Sequence, residues 1–159
     1  DLDYIQKTAS QYYNRKNIFF IGRNLDYAVS MEGSLKLKEI SYIHSEAYAG
    51  GELKHGTISL IEDGTLVVVL ATYEPLIDKI VSNLEEVKAR GASILAVTTE
   101  GEKRLDPVSD YIFYVPKTEE ILQPSLTVIP LQLFAYYMAA LNGCSIDKPR
   151  NLAKSVTVE

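Results

Sequence analysis

The chain has 159 residues, of which 47% are hydrophobic and 23% are charged, the balance of one soluble globular domain. Its formal net charge of −5 argues against binding to nucleic acid or to an anionic membrane, because both usually require a basic patch. Cys144 is the single cysteine, which excludes an intrachain disulfide and a cysteine-built zinc site. We expect a cytoplasmic protein, since no signal-peptide pattern follows Asp1 and the most apolar stretch, 129–141, is shorter than a membrane span.

Strands alternate with helices along the chain. Apolar periodicity and breaker residues predict a helix over 3–14, a strand over 18–21, a helix over 25–42, a strand over 66–70, a helix over 75–89, strands over 94–97 and 111–115, and a helix over 128–141. Pro130 then falls in the first turn of the last helix, where proline is tolerated. The strands are apolar throughout, which is typical of a parallel sheet covered on both faces. We therefore expect an α/β fold, a three-layer αβα sandwich forming one domain over 1–159.

Ligands of such sheets bind beyond the carboxyl ends of the strands. We therefore expect a site among the loops that follow Ile21, Leu70 and Val97. The turn Gly22-Arg23-Asn24 lacks the further glycines of a dinucleotide fingerprint, and the chain has no Walker loop and no nucleophile elbow. A redox enzyme or a nucleotide hydrolase is therefore not indicated.

The segment EGSLKLKEI, residues 32–40, carries several charges at helical spacing. On a helical wheel Glu32, Lys36 and Glu39 fall within about 60° of one another, while Lys38 points away. A carboxylate beside an amine is suited to passing protons. The alternative is a salt-bridge ladder on an exposed helix, which is common and which the pattern alone favours.

The segment HSEAYAGGELKHG, residues 44–56, contains both histidines of the chain, His44 and His55, with two carboxylates and three glycines. Histidine exchanges protons near neutral pH, and glycine lets the backbone approach a ligand closely. The segment is either a ligand-binding loop or an ordinary turn-rich loop. At the end of the chain, Lys154 lies in a stretch without periodicity, and its position alone indicates a solvated charge.

Three motifs together carry a family resemblance. They are EGSLKLKEI at 32–40, GELKHG at 51–56 and the tail PRNLAKSVTVE at 149–159. They resemble the glutamine–fructose-6-phosphate transaminase (isomerising) family, and in particular the second of its two sugar isomerase (SIS) domains. The resemblance covers essentially the whole chain, although Asn24 departs from the second glycine that the family usually has in that turn.

The resemblance implies a role for four residues. Lys154 matches the lysine that forms a Schiff base with the open-chain ketose, and Glu39 matches the base that moves a proton between carbons 1 and 2. Lys36 matches the lysine that shuttles a hydroxyl proton, and His55 matches the histidine that assists ring opening in the site of the neighbouring subunit. Substrate binding is implied for Ala153, Lys154 and Glu39, and neither a metal nor an organic cofactor is implied.

The resemblance also implies partners. The ligands are fructose 6-phosphate and glucosamine 6-phosphate, in amino-sugar biosynthesis, and the enzyme is a homodimer. The family's glutaminase domain and its first SIS domain, with a Ser-x-Ser-Gly-x-Thr phosphate loop, have no counterpart here, so we expect a fragment of a longer enzyme that is inactive alone. The alternatives are a non-catalytic sugar-phosphate-binding SIS module and a related SIS deglycase; the tail motif favours the transaminase.

Overall fold

Five parallel strands form the centre of the molecule, in the computed structural model that describes residues 1–152. In chain order the strands are β1 (Asn17–Gly22), β2 (His44–Ala49), β3 (Leu66–Ala71), β4 (Ser93–Thr99) and β5 (Tyr111–Val115). Their order across the sheet is β2-β1-β3-β4-β5, and each neighbouring pair is parallel. The strand order reverses between β1 and β3, which makes that pair the switch point of the sheet.

Helices cover both faces of this sheet. They are α1 (Leu2–Tyr12), α2 (Leu25–Ser41), α3 (Ile77–Lys88) and α4 (Gln123–Leu141). Along β1, Ile18 and Phe20 join a core with α1, α2 and α4, whereas Phe19 and Ile21 join a second core with α3. Alternate residues of a strand point to opposite faces, so an all-apolar strand supplies both cores. The expected three-layer αβα sandwich with a parallel sheet is confirmed.

Strand β2 covers residues 44–49 of the segment that was predicted to be a loop, so the loop prediction is wrong for that part, whereas residues 50–56 form turns as expected. The strand pairs with β1 along its whole length, from His44 beside Asn17 to Ala49 beside Gly22. Its buried Ser45 hydroxyl lies 3.0 Å from the Ser34 hydroxyl of α2 and donates to the Ser34 carbonyl at 2.9 Å. Polar contacts hold this edge strand in place, so the apolar run that marks the other strands is missing.

Helix α4 begins at Gln123, five residues before the predicted start, so Pro130 lies inside the helix rather than in its first turn. Pro124 occupies the first turn instead, where a proline N–H is not needed. With 19 residues, α4 could cross a membrane by length and composition alone. The apolar stretch 129–141 of the sequence was expected to be too short for this, and the longer helix corrects that expectation. In the structure it packs on α1 and α2 and buries Phe134 and Met138 against the sheet.

Candidate active site

Lys36 and Glu39 form a close ion pair on α2. The Lys36 Nζ atom lies 2.6 Å from Glu39 Oε2 and 3.6 Å from Glu32 Oε1. Side chains three and four residues apart share one ridge of a helix, which is why this spacing gathers the three charges. The structure places these residues as the helical wheel predicts, and their catalytic roles stay predictions.

The ion pair holds Lys36 in its charged form. The hydrogen bond to Glu39 raises the pKa of Lys36 above its ordinary value of 10.5, burial opposes this shift, and the charge of Glu32 adds to it. The Lys36 side chain is 31% exposed and that of Glu39 is 23% exposed, so the pair is half-buried and still open to a ligand. Such a pair combines a carboxylate that can accept a proton with a cation that can donate hydrogen bonds to a nearby oxygen.

Close packing against α4 buries a different face of α2 from the one that carries the ion pair. Gly33 and Leu37 lie on the buried face, and Leu37 is fully buried. A Cβ atom at Gly33 would lie 2.7 Å from Leu131 Cδ1 and 3.1 Å from Phe20 Cε1, so a larger residue would push the helices apart. The packing therefore sets which side of α2 remains available for Lys36 and Glu39.

The ion pair does not lie at the edge of the sheet where the sequence predicted the site. Two residues separate the carboxyl end of β1 from the start of α2, and two residues separate the end of α2 from the amino end of β2. Lys36 and Glu39 are in its last two turns, so they lie toward the amino ends of the strands. The structure therefore places Lys36 and Glu39 away from the loops after Ile21, Leu70 and Val97, and the location of the site stays a prediction.

His55 forms no hydrogen bond or ion pair with Lys36 or Glu39 within residues 1–152. It is exposed in a short 3₁₀ turn, Leu53–His55, which is anchored by the fully buried Leu53 beyond the carboxyl end of β2. The length of β2, about 16 Å at 3.3 Å per residue, separates that end from the amino ends of the strands, near Glu39. Within residues 1–152, no group of three His, Cys, Asp or Glu side chains could hold a metal ion.

The start of the C-terminal segment contacts the end of α2. The Arg150 N–H donates a hydrogen bond to the Tyr42 hydroxyl at 2.8 Å, and the Arg150 guanidinium carbon lies 4.2 Å from the centre of the Tyr42 ring. Tyr42 follows Glu39 by three residues and ends the helix. Two predicted site residues, Ala153 and Lys154, lie outside the described residues.

A second polar site, absent from the sequence predictions, occupies the switch point between β1 and β3. Asp26 Oδ2 accepts the N–H groups of Thr72 at 2.8 Å and Tyr73 at 3.1 Å, and its Oδ1 accepts the Thr72 hydroxyl at 2.5 Å. Burial raises the pKa of Asp26, against the effect of these three hydrogen bonds. Lys117, which lines the same crevice, pairs with Glu74 at 3.1 Å. A protein carboxylate thus takes up the backbone N–H groups at the usual ligand position of such a sheet.

Known proteins similar to this chain agree on the fold. The chain is 63% identical over 155 residues to glutamine–fructose-6-phosphate aminotransferase (isomerizing) of Caldanaerobacter subterraneus subsp. tengcongensis, a match that covers 98% of this chain and 26% of that relative. Among solved structures, it resembles the C-terminal domain of glucosamine-fructose-6-phosphate aminotransferase from Francisella tularensis, with a TM-score of 0.85, 33% identity, and coverage of 92% of this chain and 42% of that one. It also resembles glucosamine-6-phosphate deaminase from Thermotoga maritima, with a TM-score of 0.76, 28% identity, and coverage of 98% and 45%.

The chain therefore spans about a quarter of the length of the aminotransferase relative. The family model described as the SIS domain matches residues 11–142, which is most of the chain and includes the whole sheet. The match contains Lys36, Glu39 and His55, and it ends before the tail motif. The chain belongs to the SIS domain family.

Proposed function

We propose that this chain is the second SIS domain of an isomerising glutamine–fructose-6-phosphate aminotransferase, and that it carries the base for sugar isomerisation. The observation that supports this most directly is the ion pair on α2, with Lys36 Nζ 2.6 Å from Glu39 Oε2. The pair is half-buried and unites the two residue types that proton transfer needs. The 63% identity to an aminotransferase of that name adds support.

In the proposed reaction the Lys154 amine forms an imine at carbon 2 of open-chain fructose 6-phosphate, and water leaves. An imine is an electron sink that makes the neighbouring C–H more acidic. Ammonia from glutamine hydrolysis then displaces the Lys154 amine, which leaves protonated fructosimine 6-phosphate and a free lysine. Glu39 removes a proton from carbon 1 of the fructosimine and returns it to carbon 2. Lys36, held as a cation by Glu39, gives a proton to the nitrogen on carbon 2 and takes the proton of the hydroxyl on carbon 1, so that carbon 1 becomes the aldehyde and the lysine ends as a cation again.

His55 is proposed to act in the site of a neighbouring subunit of a homodimer. Its position supports this, since it is exposed and forms no hydrogen bond or ion pair with its own Lys36 or Glu39 within residues 1–152. The assembly then places two chains so that each supplies the ring-opening histidine of the other. The cytoplasm is the proposed location.

The remainder of the proposed enzyme supplies glutamine hydrolysis and the first SIS domain, which holds the phosphate of the sugar. The Asp26 carboxylate supports an external phosphate site, because it already uses the N–H groups of Thr72 and Tyr73 at the switch point. A phosphate there would meet a carboxylate instead of free donors. Fructose 6-phosphate and glucosamine 6-phosphate are the proposed ligands of the assembled site.

The test is proton exchange at carbon 1 of fructose 6-phosphate in D₂O, followed by NMR, in the proposed full-length enzyme. Glu39→Gln keeps the shape of the side chain and removes the base, so we expect at least about 10²-fold slower exchange. Glu32→Gln is the matched control, because it removes the 3.6 Å contact to Lys36 and leaves Glu39 in place. Exchange by Glu39→Gln within a factor of about two of wild type would contradict the assignment.

A further inference from the structure

Tyr42 has a backbone conformation that is unusual for an aromatic residue. Its φ of 61° and ψ of 12° lie in the left-handed region, where helices usually end with glycine or asparagine. A bulky residue there is strained by about 1 kcal/mol or more relative to glycine. Helix termination alone therefore does not explain a tyrosine at this position.

The side chain of Tyr42 makes two contacts that glycine and asparagine could not reproduce. Its hydroxyl accepts the Arg150 N–H at 2.8 Å, and its ring lies 4.2 Å below the Arg150 guanidinium carbon. A cation over an aromatic face contributes about 0.5–1 kcal/mol at an exposed site. Together, one hydrogen bond and one cation–π contact join the end of α2 to the chain after α4.

Two further contacts hold the same stretch of chain. The Asn142 side chain donates to the Tyr13 carbonyl at 2.6 Å, and Cys144 Sγ lies 3.8 Å from the Ser41 carbonyl oxygen. Ser41 is the last residue of α2, so the chain that leaves α4 returns to that helix end before it reaches Arg150. The contact with Tyr42 is the last of this series in the described part of the chain.

The position of Tyr42 connects this contact to the proposed site. Tyr42 caps α2 and follows Glu39 by three residues, and Lys154 follows Arg150 by four residues in the sequence. Four residues of extended chain span at most about 14 Å between Cα atoms. Fixing Arg150 at Tyr42 therefore limits how far the Lys154 backbone can lie from the end of the helix that carries Glu39.

We propose that Tyr42 is a positioning residue, which holds Arg150 at the end of α2 so that the Lys154 amine stays within reach of the sugar carbon beside Glu39. This proposal rests on the proposed function. Tethering a nucleophile near its target raises its effective concentration, which increases the rate of imine formation without new contacts to the sugar. Loss of the tether should therefore lower the rate of imine formation more than it changes the KM for sugar phosphate.

The first measurement is reductive trapping in the proposed full-length enzyme. Fructose 6-phosphate is added, borohydride delivers hydride to the imine carbon, and the secondary amine left on Lys154 is counted by peptide mass spectrometry. We expect labelling about 3-fold slower in Tyr42→Phe, which loses one hydrogen bond, and about 10-fold slower in Tyr42→Gly, which also loses the ring. Tyr136→Phe is the matched control, because the Tyr136 hydroxyl makes no hydrogen bond within residues 1–152.

Tyr42→Gly also separates positioning from folding. Glycine adopts a φ of 61° without strain, so relief of strain offsets the lost contacts and the variant should stay folded, with a melting temperature close to that of wild type. Arg150→Ala removes only the cation–π contact and keeps the backbone N–H that donates to the Tyr42 hydroxyl, so it should slow labelling less than Tyr42→Gly. The double variant should be no slower than Tyr42→Gly alone, since Tyr42→Gly already removes both contacts. Wild-type labelling in Tyr42→Gly, or additive effects in the double variant, would overturn the proposal.

A second measurement does not depend on catalysis. In the 159-residue chain the Arg150 amide should exchange with solvent faster in Tyr42→Phe than in wild type, because its acceptor is gone. Equal exchange rates would overturn the Tyr42 contact itself. If wild-type enzyme is not labelled at Lys154 while this amide is protected by Tyr42, the proposed function fails and the contact stands.

Discussion

Lys36 Nζ and Glu39 Oε2 lie 2.6 Å apart, one helical turn from each other, on the half-buried side of α2. The consequence is a division of roles. Glu39 is the group that can accept a proton, and Lys36 is kept as a cation by that same carboxylate. A reaction that removes a proton from carbon and stabilises charge on a neighbouring oxygen needs both groups in this arrangement.

The first prediction concerns the charge of Lys36. Lys36→Met keeps most of the stem and removes the hydrogen-bond donor, so carbon 1 proton exchange should fall by about 10²-fold. Lys38→Met is the matched control, because the Lys38 side chain is exposed and has no ion-pair partner within residues 1–152. If Lys36→Met exchanged the carbon 1 proton at more than a third of the wild-type rate, the proposed role of Lys36 in the reaction would be contradicted.

The effect of Lys36→Met on the free energy of unfolding should depend on pH. The folded-state pKa of Lys36 is raised, so the stability contributed by its charge is fully present below the ordinary value of 10.5 and is lost as pH rises through the folded value. Urea unfolding should therefore show a constant difference between wild type and Lys36→Met from pH 7 to pH 10, and a smaller difference above 10.5. A difference that changes with pH below 10 would contradict this sign.

The Asp26 carboxylate gives a prediction for stability. Asp26→Ala leaves the Thr72 and Tyr73 N–H groups without an acceptor, so the free energy of unfolding should fall by about 2–4 kcal/mol. Asp26→Asn keeps an oxygen for these donors, and its amide can donate to the Thr72 hydroxyl. It should therefore stay within about 1 kcal/mol of wild type at pH 7. Urea unfolding of wild type, Asp26→Ala and Asp26→Asn measures both changes in unfolding free energy. An equal decrease in the two variants would contradict the proposed role of the Asp26 oxygen as an acceptor.

The raised pKa of Asp26 also fixes the sign of its pH dependence. Between the ordinary value of 3.8 and the higher folded value, the folded state binds more protons than the unfolded state. Its contribution to stability is therefore full below 3.8 and is lost as pH rises through the folded value. The unfolding free energy of wild type minus that of Asp26→Asn should decrease with rising pH across this window, and an increase would contradict the burial effect.

Asn24 gives a prediction in the opposite direction. Its φ of 55° and ψ of −130° suit glycine, and its side chain makes no cap hydrogen bond to α2. Asn24→Gly should therefore raise the stability by about 1 kcal/mol, which corresponds to about 2–4 °C in Tm for a chain of this size. Asn24→Ala, which keeps a Cβ and loses the side-chain polarity, should lower Tm. A lower Tm for Asn24→Gly would contradict the assignment of strain.

The sequence was most informative where local rules act alone. Apolar runs predicted β1, β3 and β4, because a strand buried on both faces is apolar along most of its length. The run 111–115 also predicted the edge strand β5, although Tyr114 there is exposed. The wheel predicted the Lys36–Glu39 pair, because helical spacing by itself fixes which residues share a ridge. Asn24 lies in a turn where the family usually has glycine. Its positive φ of 55° explains that preference, because glycine adopts such a conformation without strain.

Long-range contacts account for what the sequence did not show. Strand β2 depends on hydrogen bonds between Ser45 and Ser34, eleven residues apart, and leaves no apolar run. Asp26 meets Thr72 only across the sheet, so nothing near Asp26 marks it as a site residue. Tyr42 was missed because its left-handed conformation would have suggested glycine or asparagine, and its partner Arg150 lies 108 residues away.

The central claim is that this domain supplies the imine-forming lysine and the isomerising base of one site. The most direct test is borohydride reduction of the proposed full-length enzyme in the presence of fructose 6-phosphate, with peptide mapping of the sugar adduct. The account predicts an adduct on Lys154 in wild type and in Glu39→Gln, because imine formation precedes the proton transfer that Glu39 performs. An adduct on another lysine, with none on Lys154, would contradict it.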